Sequence, residues 1–128
     1  TVSTPELADL VRAFGEGFLA QLDDRRDLTR IIEHDGDRFP ELRDRVRNEI
    51  ITPGYRAVTR ALAQLAPPDT DAAAHAALLL ASLTGRRRTA WTFGHTSYRI
   101  SDARALDAWT THCSSVLRPD IEHPRPDQ

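Results

Sequence analysis

The sequence predicts an all-α fold, a bundle of five antiparallel helices in a single domain. Alanine and leucine dominate its apolar positions, where a sheet protein would use valine, isoleucine and threonine. Apolar residues recur at steps of three and four, and no segment alternates with period two for long enough to make a strand. A chain of 128 residues is one domain by size. It buries roughly two thirds of its unfolded surface, which is enough for a real core.

The first helix is predicted to run from Thr4 to about residue 22. Thr4 can accept hydrogen bonds from the first amides, Pro5 suits the first helical position, and Glu6 complements the helix dipole. A single apolar stripe follows at helical spacing and consists of Leu7, Leu10, Val11, Phe14, Phe18 and Leu22.

The second helix is predicted to be short, and Asp23 or Asp24 is expected to cap it. Its apolar residues are Leu28, Ile31 and Ile32. Gly36 is predicted to end it, because glycine readily adopts the left-handed conformation that terminates helices. Residues 35–37 then form a turn into the next helix.

The third helix is predicted from Pro40 to about Ala66. Its apolar positions are Leu42, Val46, Ile50, Tyr55, Val58, Leu62 and Leu65. Pro53 lacks an amide hydrogen and its ring clashes with the carbonyl of Glu49, so a kink or a break is expected near residues 51–54. The two prolines at 67 and 68 end this helix.

The fourth helix is predicted to start at a cap on Asp69 or Thr70 and to reach about residue 93. Between residues 72 and 83 every position except one histidine and one serine is alanine or leucine, so the helix is apolar on all sides. Such a helix is covered either entirely by its own neighbours or partly by a second subunit.

Ser101 is predicted to cap the fifth helix, and Pro119 to stop it. Its apolar residues spread over more than one stripe: Ala105, Leu106, Trp109, Cys113 and Val116. Because the last two helices are both broadly apolar, we expect a homodimer built from them. Residues 1–118 form the predicted domain, and residues 119–128 form a flexible tail with three prolines.

Composition and charge exclude several classes of function. The formal net charge is −2, whereas phosphate binding needs a clustered basic excess, so this chain by itself is not predicted to bind nucleic acid. The one cysteine, Cys113, cannot form an internal disulfide and suits a reducing cytosol. The first twenty residues resemble no signal peptide, and polar residues interrupt every apolar run, so we expect a cytoplasmic protein without membrane contact.

No motif of an enzyme is present, neither a nucleophile elbow nor a phosphate loop nor HExxH, so we predict no catalytic activity, no cofactor and no metal. Asp71 and His75 have the spacing of a metal pair but lack a third ligand nearby, and a surface hydrogen bond is expected instead. A metal-dependent hydrolase that also uses His112 is the enzymatic alternative. Residues 86–88, three arginines, are expected to complement the helix dipole, and Cys113 to be a buried, inert thiol.

A small-molecule pocket is predicted from the few aromatic residues. They lie at helical positions beside polar groups, and apolar walls with a few polar groups are typical of ligand sites. The candidate lining residues are Phe14, Phe18, Tyr55, Thr59, Thr84, Arg87 and Trp91. The alternative is that these aromatic side chains belong to the core.

The order and lengths of the helices resemble the regulatory domain of the TetR family of bacterial transcriptional repressors. There, a helix similar to "TPELADLVRAFGEGFLAQL" and a short helix precede a long helix that opens with E-x-x-R-F-P-E-L. This chain has "DGDRFPELRDRV", with Asp35 in the acidic position. The segments "DTDAAAHAALLLASLTG" and "SDARALDAWTTHCSSVL" resemble the two helices that form the family's four-helix dimer bundle, and the resemblance extends to residue 118.

The resemblance implies an effector-sensing domain that releases DNA when a partly hydrophobic small molecule binds. The DNA-binding helix-turn-helix of the family has no counterpart in this chain, so DNA contact would belong to a missing N-terminal part. The implied interface residues are Leu79, Leu83, Ala90, Leu106, Trp109, Cys113 and Val116. Pro53 lies where a helix could pivot. The alternative function is a free-standing, dimeric helical interaction module without a pocket.

Overall fold

The computed structural model describes residues 3–94 and 99–117, and all regular structure in these two ranges is helical. The predicted all-α class with five helices is confirmed. Helix α1 spans Thr4–Asp24, α2 Arg26–Asp35, α4 Ala72–Phe93 and α5 Asp102–Leu117. Helix α3, residues 40–65, comprises α-helical Pro40–Val46, the π-helical turn Arg47–Ile51 and α-helical Thr52–Leu65. None of the described helices is long and apolar enough to cross a bilayer. Pro119 and the predicted tail lie outside the described residues.

The start of α1 is fixed by a capping box one residue before the predicted cap. The Glu6 amide donates to Ser3 Oγ at 3.3 Å, and the Ser3 amide donates to the Glu6 carboxylate at 3.1 Å. Ser3 is therefore the N-cap, and Thr4 is the first helical residue. The reciprocal bond needs an acid three residues after the cap, and this spacing selects Ser3 over Thr4.

The junctions around α2 also differ from prediction. Arg25 occupies the N-cap position with φ −102° and ψ 13° and makes no side-chain cap bond, so neither Asp23 nor Asp24 caps the helix. The backbone of Gly36 has a right-handed helical conformation, with φ −57° and ψ −33°. A Cβ at Gly36 would lie 2.3 Å from the Ile32 carbonyl oxygen, so glycine is needed here for close packing and not for left-handed geometry.

Helix α3 continues through the predicted break. The Thr52 amide donates to the Arg47 carbonyl, which closes a π turn, and the residues on both sides of this turn keep right-handed helical angles. The irregularity therefore lies at residues 47–51, before the predicted position. Pro53 lacks an amide donor and crowds the carbonyl one turn earlier. The change from α-helical to π-helical hydrogen bonding therefore falls in the turn that precedes Pro53.

The core lies where α1 packs along α5 and across α4, while the later part of α3 packs on α4. One buried cluster contains Leu19, Leu83, Leu106, Trp109 and Cys113, and a second contains Leu7, Leu62, Ala76 and Leu117. Trp109 Nε1 donates to the Leu79 carbonyl at 3.0 Å and so ties α5 to α4. Cys113 is buried as predicted, and burial raises the pKa of its thiol to about 12.

Helices α1 and α5 cross closely at Gly15. A Cβ at this position would lie 2.8 Å from Leu106 Cδ2 and 3.0 Å from Cζ3 of Trp109. We expect Gly15→Ala to lower the free energy of unfolding by about 1–2 kcal/mol, because the cost of overpacking exceeds the gain in helix propensity. Chemical denaturation measures this change.

Gly17→Ala is the matched control for Gly15→Ala. Gly17 lies on the same helix, and an added Cβ there meets no atom within 4 Å. The control should stabilise the protein by about 0.5–1 kcal/mol through helix propensity alone. Equal effects of the two substitutions would contradict the close crossing.

The arginines at 86–88 lie in the later turns of α4, before its last turn, which contains no basic residue. They form ion pairs with acidic residues of α1, α2 and α5. Arg87 lies 2.9 Å from Asp102, and its Nε lies 3.0 Å from Asp23 without hydrogen-bond alignment. The hydrogen bond from Arg87 lowers the pKa of the Asp102 carboxyl. Arg86 also contacts Asp102 and donates to the Ile100 carbonyl at 2.6 Å.

Candidate functional site

A cavity of about 450 Å³ lies among α1, α2, α3 and α4. Its walls are mainly apolar, and its polar groups come from a few side chains on each helix. This volume lies within the range of small-molecule sites, which are concave and largely apolar with few polar groups. The cavity is therefore the candidate ligand site of the chain.

Five of the predicted lining residues lie on the wall of this cavity: Phe14, Phe18, Tyr55, Thr84 and Trp91. Phe14 and Phe18 stack with their ring centroids 6.1 Å apart. Phe14 also stacks on Trp109 of the core, with centroids 6.4 Å apart and planes 15° apart. The aromatic residues of α1 are thus shared between the cavity and the core.

The other two predicted residues do not line the cavity. Thr59 lies past Val58, the last residue of α3 on the cavity wall, because the later turns of α3 pack against α4 around Leu62 and close the space. Arg87 faces Asp23 and Asp102 instead. Consecutive helical positions point about 100° apart, so its neighbour Arg88 lines the cavity in its place.

None of the predicted lining residues lies on α2 or on the π turn. Both contribute to the wall, through Arg25, Leu28, Thr29, Ile32, Glu33, Ile50 and Ile51. The spacing of Leu28 and Ile32 already marked an apolar side of α2, but periodicity does not distinguish a side that meets a core from one that meets a cavity. None of the residues of α2 is fully buried, as expected for a helix that covers a space.

Three arginine side chains lie on the cavity wall or beside it. Arg88 of α4 lies 2.8 Å from Glu33 of α2, and both residues line the cavity. The guanidinium of Arg26 lies 5.6 Å from the ring centroid of Trp91. Arg25 lines the cavity at the corner between α1 and α2, and in the described part of the chain its guanidinium makes no ion pair.

A second, larger depression of about 710 Å³ opens between α4 and α5. Leu78, Leu79, Trp109 and Val116 supply its apolar surface. Leu78 is 69% exposed, although it lies in the middle of the apolar stretch of α4. The helices within residues 3–94 and 99–117 therefore do not cover this face of α4.

The predicted interface residues divide between this depression and the core. Leu79, Trp109 and Val116 line the depression, and Ala90 is half-buried outside it. Leu83, Leu106 and Cys113 are at most 4% exposed inside the first core cluster, and Trp109 is buried with them. These four buried side chains have little surface left for a second subunit. Leu78, which the prediction omitted, has far more exposed surface.

Asp71, His75 and His112, the residues of the enzymatic alternative, all border this depression. The Asp71 carboxylate accepts a hydrogen bond from the Ala74 amide at 3.1 Å and caps α4, a role predicted for Asp69 or Thr70. Within residues 3–94 and 99–117, no three histidine, cysteine or acidic residues are grouped so that they could hold a metal ion.

Comparisons with protein families, with curated proteins and with solved structures find no match for this chain.

Proposed function

We propose that this chain is the effector-sensing and dimerising domain of a TetR-like transcriptional repressor. The observation that carries the proposal is the cavity among α1–α4, which is lined by five of the seven residues named from the sequence. In this proposal a partly hydrophobic small molecule occupies the cavity. DNA contact belongs to a helix-turn-helix outside these 128 residues.

The exposed face of α4 and α5 supports the dimerising part of the proposal. Leu78 is exposed at the wall of the depression, so this surface has an exposed apolar side chain next to an apolar recess. A two-fold axis would bring each Leu78 to the depression of the other subunit, because a two-fold interface uses the same patch twice. Helices α4 and α5 of the two copies then form a four-helix bundle.

Regulation in this proposal follows from linkage. A ligand that binds more tightly to one arrangement of the dimer shifts the population towards it by the ratio of its two affinities. If that arrangement holds the DNA-binding units at the wrong spacing, the ligand weakens operator binding. The alternative of an interaction module without a pocket leaves the cavity without a role.

The coding sequence upstream of Thr1 tests the proposal most directly. We expect it to encode, in frame, a basic helix-turn-helix of the kind that places one helix in the major groove. With that segment attached, the dimer should bind an operator with a steep salt dependence, measurable by fluorescence anisotropy. A start codon immediately before Thr1 would contradict the proposal.

A further inference from the structure

We propose that the cavity binds an amphipathic monocarboxylate, with the carboxylate at Arg25 and the apolar body against the aromatic residues of α1 and α4. This inference rests on the proposed function, because it names the chemical class of the effector. It assigns the charged contact to Arg25, which lines the cavity, and not to Arg87, which was predicted to line it but does not.

Charge balance at the cavity wall supports an anionic ligand. The ionised residues of the wall are Arg25, Arg88 and Glu33, which sum to +1, although the whole chain carries a formal charge of −2. Arg88 and Glu33 neutralise one another at 2.8 Å. The positive charge that remains on the wall is that of Arg25.

Arg25 differs from the other arginines near the cavity. Arg26 is placed over the Trp91 ring, and Arg87 lies between two aspartates. In the described part of the chain the Arg25 guanidinium has neither an ion pair nor a side-chain hydrogen bond, while its backbone is held by bonds to Gln21 and Thr29. A fixed backbone with a free guanidinium suits a carboxylate, which accepts its parallel N–H groups.

The start of α2 also lies next to Arg25. Helix α2 begins beside Arg25 without a side-chain cap, so the positive end of its dipole lacks the usual acceptor. Leu28 and Thr29 of its first turns line the cavity, whereas Asp27, the acid of the first turn, does not. The carboxyl-terminal end of α1, with Asp23 and Asp24, meets α2 at the same residue and offsets this contribution, so the inference rests on the guanidinium of Arg25.

The rest of the wall favours an apolar, partly aromatic body. Phe14 and Phe18 form a stacked pair on one side, and Trp91 lies on α4 across the cavity. Ile50 and Ile51 of the π turn add aliphatic surface. An aryl group gains offset stacking against such rings in addition to the transfer of its apolar area from water.

Three matched probes test the ligand class on the purified 128-residue chain: 4-phenylbutanoate, 4-phenylbutan-1-ol and 4-phenylbutylammonium. Their bodies are the same and their head groups carry charges of −1, 0 and +1. By calorimetric titration we expect the carboxylate to bind about tenfold more tightly than the alcohol, the factor given by one charge-assisted hydrogen bond, and the ammonium to bind most weakly.

Arg25→Gln identifies the residue responsible. It should weaken binding of the carboxylate about tenfold and leave binding of the alcohol unchanged. Arg30→Gln is the matched control, because Arg30 of α2 is an exposed arginine, as Arg25 is, but lies outside the cavity wall, and it should change neither. Circular dichroism verifies that both variants remain folded.

The outcomes separate this inference from the proposed function. Equal binding of carboxylate and alcohol, or equal losses for both probes in Arg25→Gln, would overturn the carboxylate inference and leave a ligand-binding cavity in place. Absence of binding by all three probes would contradict both. Selective loss of carboxylate binding in Arg25→Gln alone supports the inference.

Discussion

Leu78→Glu is expected to convert the proposed dimer of this chain into a monomer. Leu78 is 69% exposed on a face of α4 that no other described helix covers, and in the proposed dimer it enters the depression of the second subunit. A glutamate there would bury an unpaired charge against Trp109 and Val116. The dimer should weaken by at least about 2 kcal/mol, roughly thirtyfold, as measured by sedimentation equilibrium.

Leu10→Glu is the control for this experiment. Leu10 is 60% exposed on α1 and lines neither the cavity nor the depression, so its substitution changes surface charge equally without touching the proposed interface. The control should retain the dimer of the unsubstituted chain. If the unsubstituted chain remains monomeric at high concentration, or if both variants dimerise equally well, the proposed interface is wrong.

Filling the cavity is expected to stabilise the protein and to abolish ligand binding. Gly54 lines the cavity, and an added Cβ meets no atom within 4 Å. Gly54→Leu should raise the free energy of unfolding by about 1–3 kcal/mol, because it improves helix propensity and places apolar surface in the empty space. Titration with 4-phenylbutan-1-ol should then show no binding.

Gly17→Leu separates the two contributions. Gly17 is also helical and unobstructed but lies outside the cavity, so its substitution should give only the propensity gain and leave the alcohol bound. Unchanged binding in Gly54→Leu would show that the probe occupies another site.

The sequence predicted the helices well because their apolar spacing and proline boundaries are local signals. Helix starts were less certain where several capping residues are adjacent. Ser3 and Asp71 cap α1 and α4, while the prediction chose the neighbouring Thr4 and either Asp69 or Thr70. The choice among adjacent caps depends on which side chain reaches the amide three residues later, which composition does not reveal.

The rotation of each helix about its own axis was the harder problem. Leu106 and Cys113 were assigned to a subunit interface, yet they are buried in the core cluster with Leu19 of α1, because an apolar helix can turn either side inward. For the same reason Arg87 was predicted to line the cavity, whereas the residue that lines it is Arg88. Such choices are decided by close approaches such as Gly15 against Leu106, which join residues far apart in sequence.

The stack of Phe14 on Trp109 gives the proposed regulation a physical route. Phe14 lines the cavity and stacks on Trp109, whose Nε1 donates to the Leu79 carbonyl beside the depression between α4 and α5. A ligand that displaces Phe14 therefore changes the packing against Trp109. The cavity and the proposed interface are thus joined through two aromatic rings. In a Trp91→Phe background, which removes the other indole of the chain, the emission of Trp109 should respond both to ligand binding and to dimerisation.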